Sequence, residues 1–309
     1  MTQIAKQSVF SGAGDAGARI AELTLLMSGG AVLILAFVLA TAWAAFYGSR
    51  NLRSRLQTPG LIIGAGIIFP TITLSALLTY GFVLLNAEGA AANDPPALTI
   101  HVVGKQWWWR VTYETPDGRR VESANEIRLP VDRNVRLALT SDDVIHSLWI
   151  PAYGGKLDMI PGRENVMHVR VRQAGETRGQ CAEYCGGAHA FMAFRVVAMP
   201  AAAFEQWLDA ESGPAVDLEH PGRLTFLRAG CGACHAVRGA GAAGHAGPDL
   251  THLGARRSLG ADVAEMNAAN IADWIGRHQE MKPENLMPPF DYLSHEEKAE
   301  IGAWLAGLE

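Results

Sequence analysis

Cys181-Ala-Glu183-Tyr-Cys185-Gly-Gly-Ala-His189-Ala-Phe-Met192 is the stretch from which the middle of the chain is read. Two thiols, an imidazole and a thioether fall within one short loop. Such soft donors suit copper better than magnesium or calcium, and a mononuclear copper site needs only one thiolate. Two cysteines four positions apart can instead bridge two copper ions, so that one electron is shared and little rearranges when it arrives or leaves. A bare CxxxC says little, whereas CxExCGxxHxxM puts a potential ligand at every spaced position. A disulfide between Cys181 and Cys185 is the competing reading. Each copper of a pair needs an imidazole, and the upstream candidate for the second is His146, in Ser141-Asp-Asp-Val-Ile-His146-Ser-Leu-Trp-Ile-Pro151.

Around the loop the pattern is one of short apolar runs bounded by turn residues. Leu98–Val103, Trp107–Tyr113, Glu126–Val131, Val135–Thr140, Val144–Ile150, Asn165–Val171 and Ala193–Met199 read as strands, and Thr115-Pro-Asp-Gly118 as a turn. Seven short strands over about a hundred residues predict a β-sandwich. Within Gly104-Lys-Gln-Trp-Trp-Trp-Arg110, strand alternation puts Trp107 and Trp109 on one face and Trp108 on the other. Trp108 and Trp109 are expected to pack in the core. His101 and His168 have no partner at ligand spacing and are expected to be ordinary strand histidines.

Outward on the N-terminal side, Leu23–Ser49 and Leu56–Ala87 carry no charge. Each run exceeds the ~20 residues that cross a hydrocarbon core, so helices are expected near Leu23–Phe46 and Leu61–Leu85. Pro70 within the second is tolerated where neighbouring helices satisfy the freed backbone. The first run is too long for the h-region of a signal peptide. Arg50, Arg53 and Arg55, with no acid among them, mark the connecting loop as cytoplasmic. That places residues 1–22 and everything after Glu88 outside, with 88–96 as a linker.

On the C-terminal side, Pro200–Ser212 reads as a helix with an apolar stripe, and Ser212–Gly222 as a linker. Cys231-Gly-Ala-Cys234-His235 is the CxxCH signature of covalent c-type haem. Its thiols add across the haem vinyls and its histidine lies beneath the iron. It follows a short helix, Arg223–Ala229, and precedes Gly247-Pro-Asp-Leu250. Met287, in Asn285-Leu-Met287-Pro-Pro289, is the expected sixth ligand; Met281, Met266, His245, His252 and His278 are its rivals. Ser294–Leu305 reads as a capped terminal helix. All four cysteines of the 309-residue chain fall in the two motifs, and a net charge of -5 leaves no nucleic-acid footprint.

The copper-type loop, His146 and the Trp107 stretch resemble subunit II of haem-copper cytochrome c oxidases, and the last ninety residues resemble class I cytochromes c. Their combination resembles the fused subunit II of caa3-type oxidases. The resemblance implies a multidomain membrane protein, with an N-terminal extracytoplasmic segment at 1–22 and a two-helix transmembrane hairpin at 23–87. A cupredoxin-like β-sandwich carrying CuA follows at 97–200, a helix and linker at 201–220, and an all-α cytochrome c domain at 221–309.

By the same resemblance His146, Cys181, Cys185, His189, Met192 and the Glu183 carbonyl hold the dinuclear copper. The Glu183 carboxylate shares a magnesium or manganese ion with subunit I. Trp107 is an exposed ring through which an electron enters, or, with the haem domain tethered, a ring that faces the tethered haem rather than a free cytochrome. Lys156, Asp158 and Pro161-Gly-Arg163 shape the subunit interface. Haem c is held by Cys231, Cys234, His235 and Met287. Electrons then run from an external cytochrome c or other donor through haem c and CuA to haem a and the haem a3–CuB site of subunit I, coupled to proton translocation. Subunit III is a further expected partner. The implied location is a bacterial inner membrane with both termini and both redox domains periplasmic, and the linker is expected to let the haem domain move. A membrane-anchored carrier acting alone, and subunit II of a related nitric oxide reductase, are the alternatives.

Overall fold

The computed structural model describes residues 7–92, 94–115 and 117–309. The start of the expected extracytoplasmic segment, Asn93 of the expected linker and Pro116 of the Thr115–Gly118 turn lie outside the described residues. The chain forms two compact bodies: one is Arg19–Asp94, and the other joins the beginning of the chain to Pro95–Glu309.

The first body is helical. Helices α1 (Asp15–Tyr47), α2 (Arg50–Leu56), α3 (Pro59–Ile63) and α4 (Phe69–Ala92) follow in order. Asp15–Tyr47 and Pro59–Asn86 are each long and apolar enough to cross a membrane. Their leucines, isoleucines and phenylalanines point outward, as at Leu33, Phe46, Ile72 and Leu74. α1 begins at Asp15 rather than near Leu23; an acid in the first turn suits the positive end of the helix dipole. Ahead of Pro70 the backbone widens into a π-helical turn, Gly64–Ile68, a usual response to a lost i→i−4 bond.

The second body begins with a β-sandwich. Its strands are β1 (Leu98–Lys105), β2 (Trp108–Glu114), β3 (Arg120–Ala124), β4 (Glu126–Pro130), β5 (Asn134–Ser141), β6 (His146–Trp149), β7 (Lys156–Met159), β8 (Asn165–Arg170), β9 (Gly175–Cys181) and β10 (Ala193–Met199). One sheet runs β3-β2-β1-β5-β8 and the other β4-β10-β9-β6-β7. The β1–β5 and β10–β4 pairs are parallel and the rest antiparallel. Alternate residues meet between the sheets, with Ile100, Trp109, Tyr113, Leu137, Leu148 and Phe194 fully buried.

β3, β7 and β9 were not expected from the sequence. β9 carries Glu176 and Arg178 on its outer face and glycines at 175 and 179, so it lacks a β-branched run. Its inward positions are nevertheless all buried. The segment after Gln7 lies along the sandwich: Ala13 is fully buried, Gly14 bridges Val171, and the Gly17 N–H donates to the Tyr153 carbonyl at 3.0 Å.

Helix α5 (Ala201–Ser212) places Phe204 and Leu208 in the sandwich core. Beyond it α6 (Pro221–Arg228), α7 (Ala268–Met281) and α8 (His295–Ala306) enclose a second core. Phe226 meets Trp304 edge to face at 5.3 Å where α6 crosses α8. Ser294 and Glu297 form a reciprocal capping box at the start of α8. The expected hinge at 212–222 packs onto the haem domain. Ala215 is buried, and the Gly213 and Asp217 carbonyls accept from Arg238 and Trp304.

Candidate functional site

The 181–192 loop joins β9 to β10 at the same end of the sandwich as the start of β6, so residues distant in sequence meet there. Cys181 Sγ lies 3.8 Å from Cys185 Sγ, 3.8 Å from His146 Nδ1 and 3.2 Å from the Glu183 carbonyl oxygen. Cys185 Sγ lies 3.4 Å from His189 Nδ1 and 3.8 Å from Met192 Sδ. The cysteines are free thiols, not a disulfide. His146, both cysteines and Met192 are buried. Five soft or imidazole donors and one carbonyl converge, which fits a pair of copper ions.

The cluster's electrostatics suit a cation. With two buried thiols in contact, one ionises early and the other resists. The hydrogen bond from Cys185 draws Cys181 down to about 4, and the resulting thiolate pushes Cys185 up. Burial opposes charge on His146, but its bonds to Cys181 and Asp143 outweigh this and raise it. Asp143 Oδ1 sits 2.8 Å from His146 Nε2, which orients Nδ1 toward the sulfurs. Sequence reasoning missed Asp143; its only signal was an acid three residues ahead of the histidine. The Glu183 carboxylate points away from the cluster, 3.6 Å from Lys156 Nζ.

In the haem domain a cavity of about 660 Å³ is lined by Cys231, Cys234, His235 and Met287, with Leu253, Ile275 and Phe290 among its apolar walls. His235 Nδ1 donates to the Pro248 carbonyl at 2.8 Å, which leaves Nε2 as the free nitrogen. Burial lowers the His235 pKa and keeps the imidazole neutral, as a metal ligand must be. Gly247 packs against this ring; a Cβ there would stand 2.5 Å from Cε1. The CxxCH pair, a neutral histidine and an apolar chamber of this size fit a covalent haem.

Of the rival ligands, His278 is spent on the methionine loop: its nitrogens bond Asn285 Oδ1 and the Pro288 carbonyl. His252 bonds the Gly213 carbonyl. His101 pairs with Glu114 and His168 with Asn134, as strand histidines do.

The same cavity is lined from the sandwich side by Lys105, Gln106, Trp107, Trp108, Asn125 and Asp143. Trp107, expected to be exposed, is only 5% accessible, packed against the 185–186 loop on one side and facing the cavity and Lys282 on the other. Its Nε1 donates to the Cys185 carbonyl at 3.0 Å. Gly186, at φ +116°, admits the indole; a Cβ there would meet the ring at 2.9 Å. Trp108, expected in the core, instead lies half-buried beneath Lys105 and Arg110.

Ion pairs hold the two domains together. Asp262, 7% exposed, accepts from Arg178 and Arg195 at 2.5 Å each. Arg257 reaches Glu176 at 3.1 Å, its N–H donates to Glu126, and Arg128 donates to the Ala255 carbonyl at 3.0 Å.

A thiol-rich cluster of candidate metal donors on a β-sandwich, beside a CxxCH chamber in a helical domain, points to an electron-transfer protein. The periplasmic domain of cytochrome c oxidase subunit II matches residues 98–199, and cytochrome c matches residues 220–309. Cytochrome c oxidase subunit 2 of Alkalihalophilus pseudofirmus is 36% identical over 247 residues, covering 79% of this chain and 70% of the relative. That of Bacillus subtilis is 34% identical over 239 residues, covering 73% and 65%. The crystal structure of the periplasmic domain of subunit II from Bradyrhizobium japonicum is 34% identical with a TM-score of 0.35, covering 38% of this chain and 95% of that one. The chain belongs to the cytochrome c oxidase subunit II family and carries a cytochrome c domain in addition.

Proposed function

We propose that this chain is the electron-entry subunit of a caa3-type oxidase, and that the buried Trp107 between its two sites carries the reading. His146, Cys181, Cys185, His189, Met192 and the Glu183 carbonyl hold CuA, and Cys231, Cys234, His235 and Met287 hold haem c. So loaded, the chain supplies reversible one-electron chemistry, from an external cytochrome c or other donor to haem a and the haem a3–CuB site in subunit I, where oxygen reduction is coupled to proton translocation. Asp143 and the Pro248 carbonyl keep the two imidazoles turned toward their sites. Trp107 fills the space between the haem cavity and Cys185 and excludes water from it.

The side chain of Glu183, turned outward, is the ligand for a magnesium or manganese ion shared with subunit I; a hard cation suits a carboxylate. Subunit III completes the expected assembly. The two apolar helices and the match to a periplasmic domain support a bacterial inner-membrane protein with its soluble domains outside. Packing of the 7–18 segment on the sandwich supports a periplasmic N-terminal segment.

Purification of the complex with metal analysis and spectra tests the reading. Two copper ions per chain in CuA, a near-infrared copper band, haem that survives acid–acetone extraction, and oxygen consumption are expected. At most one copper per chain at this site, or haem lost on extraction, refutes it.

A further inference from the structure

Lys282 ends α7, belongs to the haem domain and is 3% exposed. Its ammonium group donates to two backbone carbonyls: Trp107, in the copper domain, and Gly260, at 3.0 Å, in its own. A lysine in a protein interior loses its hydration, and two neutral carbonyls replace only part of it. Shorter or apolar side chains would fill such a site at lower cost. The group is placed where it joins two domains through Trp107, a residue that lines the cavity and bonds the Cys185 carbonyl.

The Lys282 backbone extends this join. Its carbonyl accepts from Asn285 Nδ2 at 2.7 Å, and Asn285 Oδ1 accepts the Met287 N–H at 3.1 Å. On the other side the Trp107 indole donates to the Cys185 carbonyl. Met287, Asn285, Lys282, Trp107 and Cys185 therefore form one connected series of bonds from the wall of the haem cavity to the copper cluster. We propose that Lys282 is a positioning residue for electron transfer between the two centres: it holds the Met287 loop in register with Trp107 and so fixes the gap the electron crosses.

This rests on the assignment of haem c and CuA made above. The clamp formed by Asp262 sits elsewhere on the interface and sets docking as a whole; Lys282 sets the local approach at the gap. The lysine lines the haem cavity but is not among the residues proposed to hold copper or haem, so its removal leaves both ligand sets in the chain.

The test uses the complete oxidase with Lys282→Met, which keeps an apolar stem and removes the donor, and Lys282→Gln, which keeps a donor too short to bridge both carbonyls. Haem c is reduced by a flash, and the haem c-to-copper and copper-to-haem a steps are timed. Hydrogen exchange is followed over residues 104–108. The expected result is a haem c-to-copper step slowed about tenfold or more, faster exchange over 104–108, and unchanged copper and methionine–haem bands. A step within twofold of wild type, unchanged exchange, or a slowdown accompanied by loss of the methionine–haem band overturns the role. If Lys282→Met does not assemble, Lys282→Gln is read by the same criteria. Wild-type enzyme whose copper is reduced without prior reduction of haem c would instead refute the underlying assignment, independently of Lys282.

Discussion

The Trp107 indole nitrogen lies 3.0 Å from the carbonyl oxygen of Cys185, so an aromatic ring that lines the CxxCH cavity is bonded to the backbone of the thiol cluster. Gln106 Nε2 donates to the same oxygen at 2.8 Å. Trp107→Phe removes one of the two donors and leaves the ring volume largely filled. The haem c-to-copper step should slow, by about tenfold, while the copper near-infrared band keeps its position. Flash-induced electron injection checks it; an unaltered rate would remove the indole from the path.

Asp262 is the acid on which two arginines from neighbouring strands converge. It occupies a left-handed backbone position (φ +69°) that asparagine also accepts. Asp262→Asn keeps size and backbone but removes the charge, and should weaken the interdomain clamp by about 2 kcal/mol. Denaturant titration followed by haem circular dichroism should show the haem domain releasing earlier, with a smaller difference at high salt. Equal midpoints would mean that the arginines find other partners at no cost.

Gly247→Ala forces a methyl group toward the His235 ring. Overpacking of this kind costs about 1–3 kcal/mol. A lower melting temperature and a perturbed haem spectrum should appear together, with copper content unchanged. A normal haem spectrum would show that the loop yields instead of the imidazole.

Burial draws the Lys282 ammonium down to about 7 from an ordinary 10.5. Between those values the unfolded chain binds a proton that the folded chain does not, so stability rises with pH through this window. Below about 7 both states are protonated and the full burial cost is present. Wild-type chain should therefore gain in melting temperature relative to Lys282→Met as pH is raised from 7 to about 9. A difference that stays flat over this range would indicate a lysine that titrates as if solvated.

The side chains that converge at the two candidate sites were legible in the sequence because they stand in short motifs whose spacing is itself the signal. Cys181 to Met192 and Cys231 to His235 needed no knowledge of the fold. Trp107 was also legible, as an exposed ring or one facing the tethered domain; the structure gives the second, with a surface from far along the chain against it. Lys282 contacts it across 175 positions. β9 was hidden for a related reason: Glu176 and Arg178 look like solvent-facing charges, yet they meet Arg257 and Asp262 of the haem domain. The linker at 212–222 reads as flexible from its glycines and prolines, but hydrogen bonds from Arg238, His252 and Trp304 tie it down. Local composition carries ligand identity; it does not carry which surface faces which.

The strip of chain around Ala13 and Gly14 has consequences for biosynthesis. Its partners, Ala152, Tyr153, Val171 and Arg172, leave the ribosome long after it does. During that interval Ala13, which ends fully enclosed, has nothing to enclose it. The β-sandwich is thus completed by a segment synthesised well before its strands, and a chain lacking residues 7–14 would emerge with an open seam beside β8.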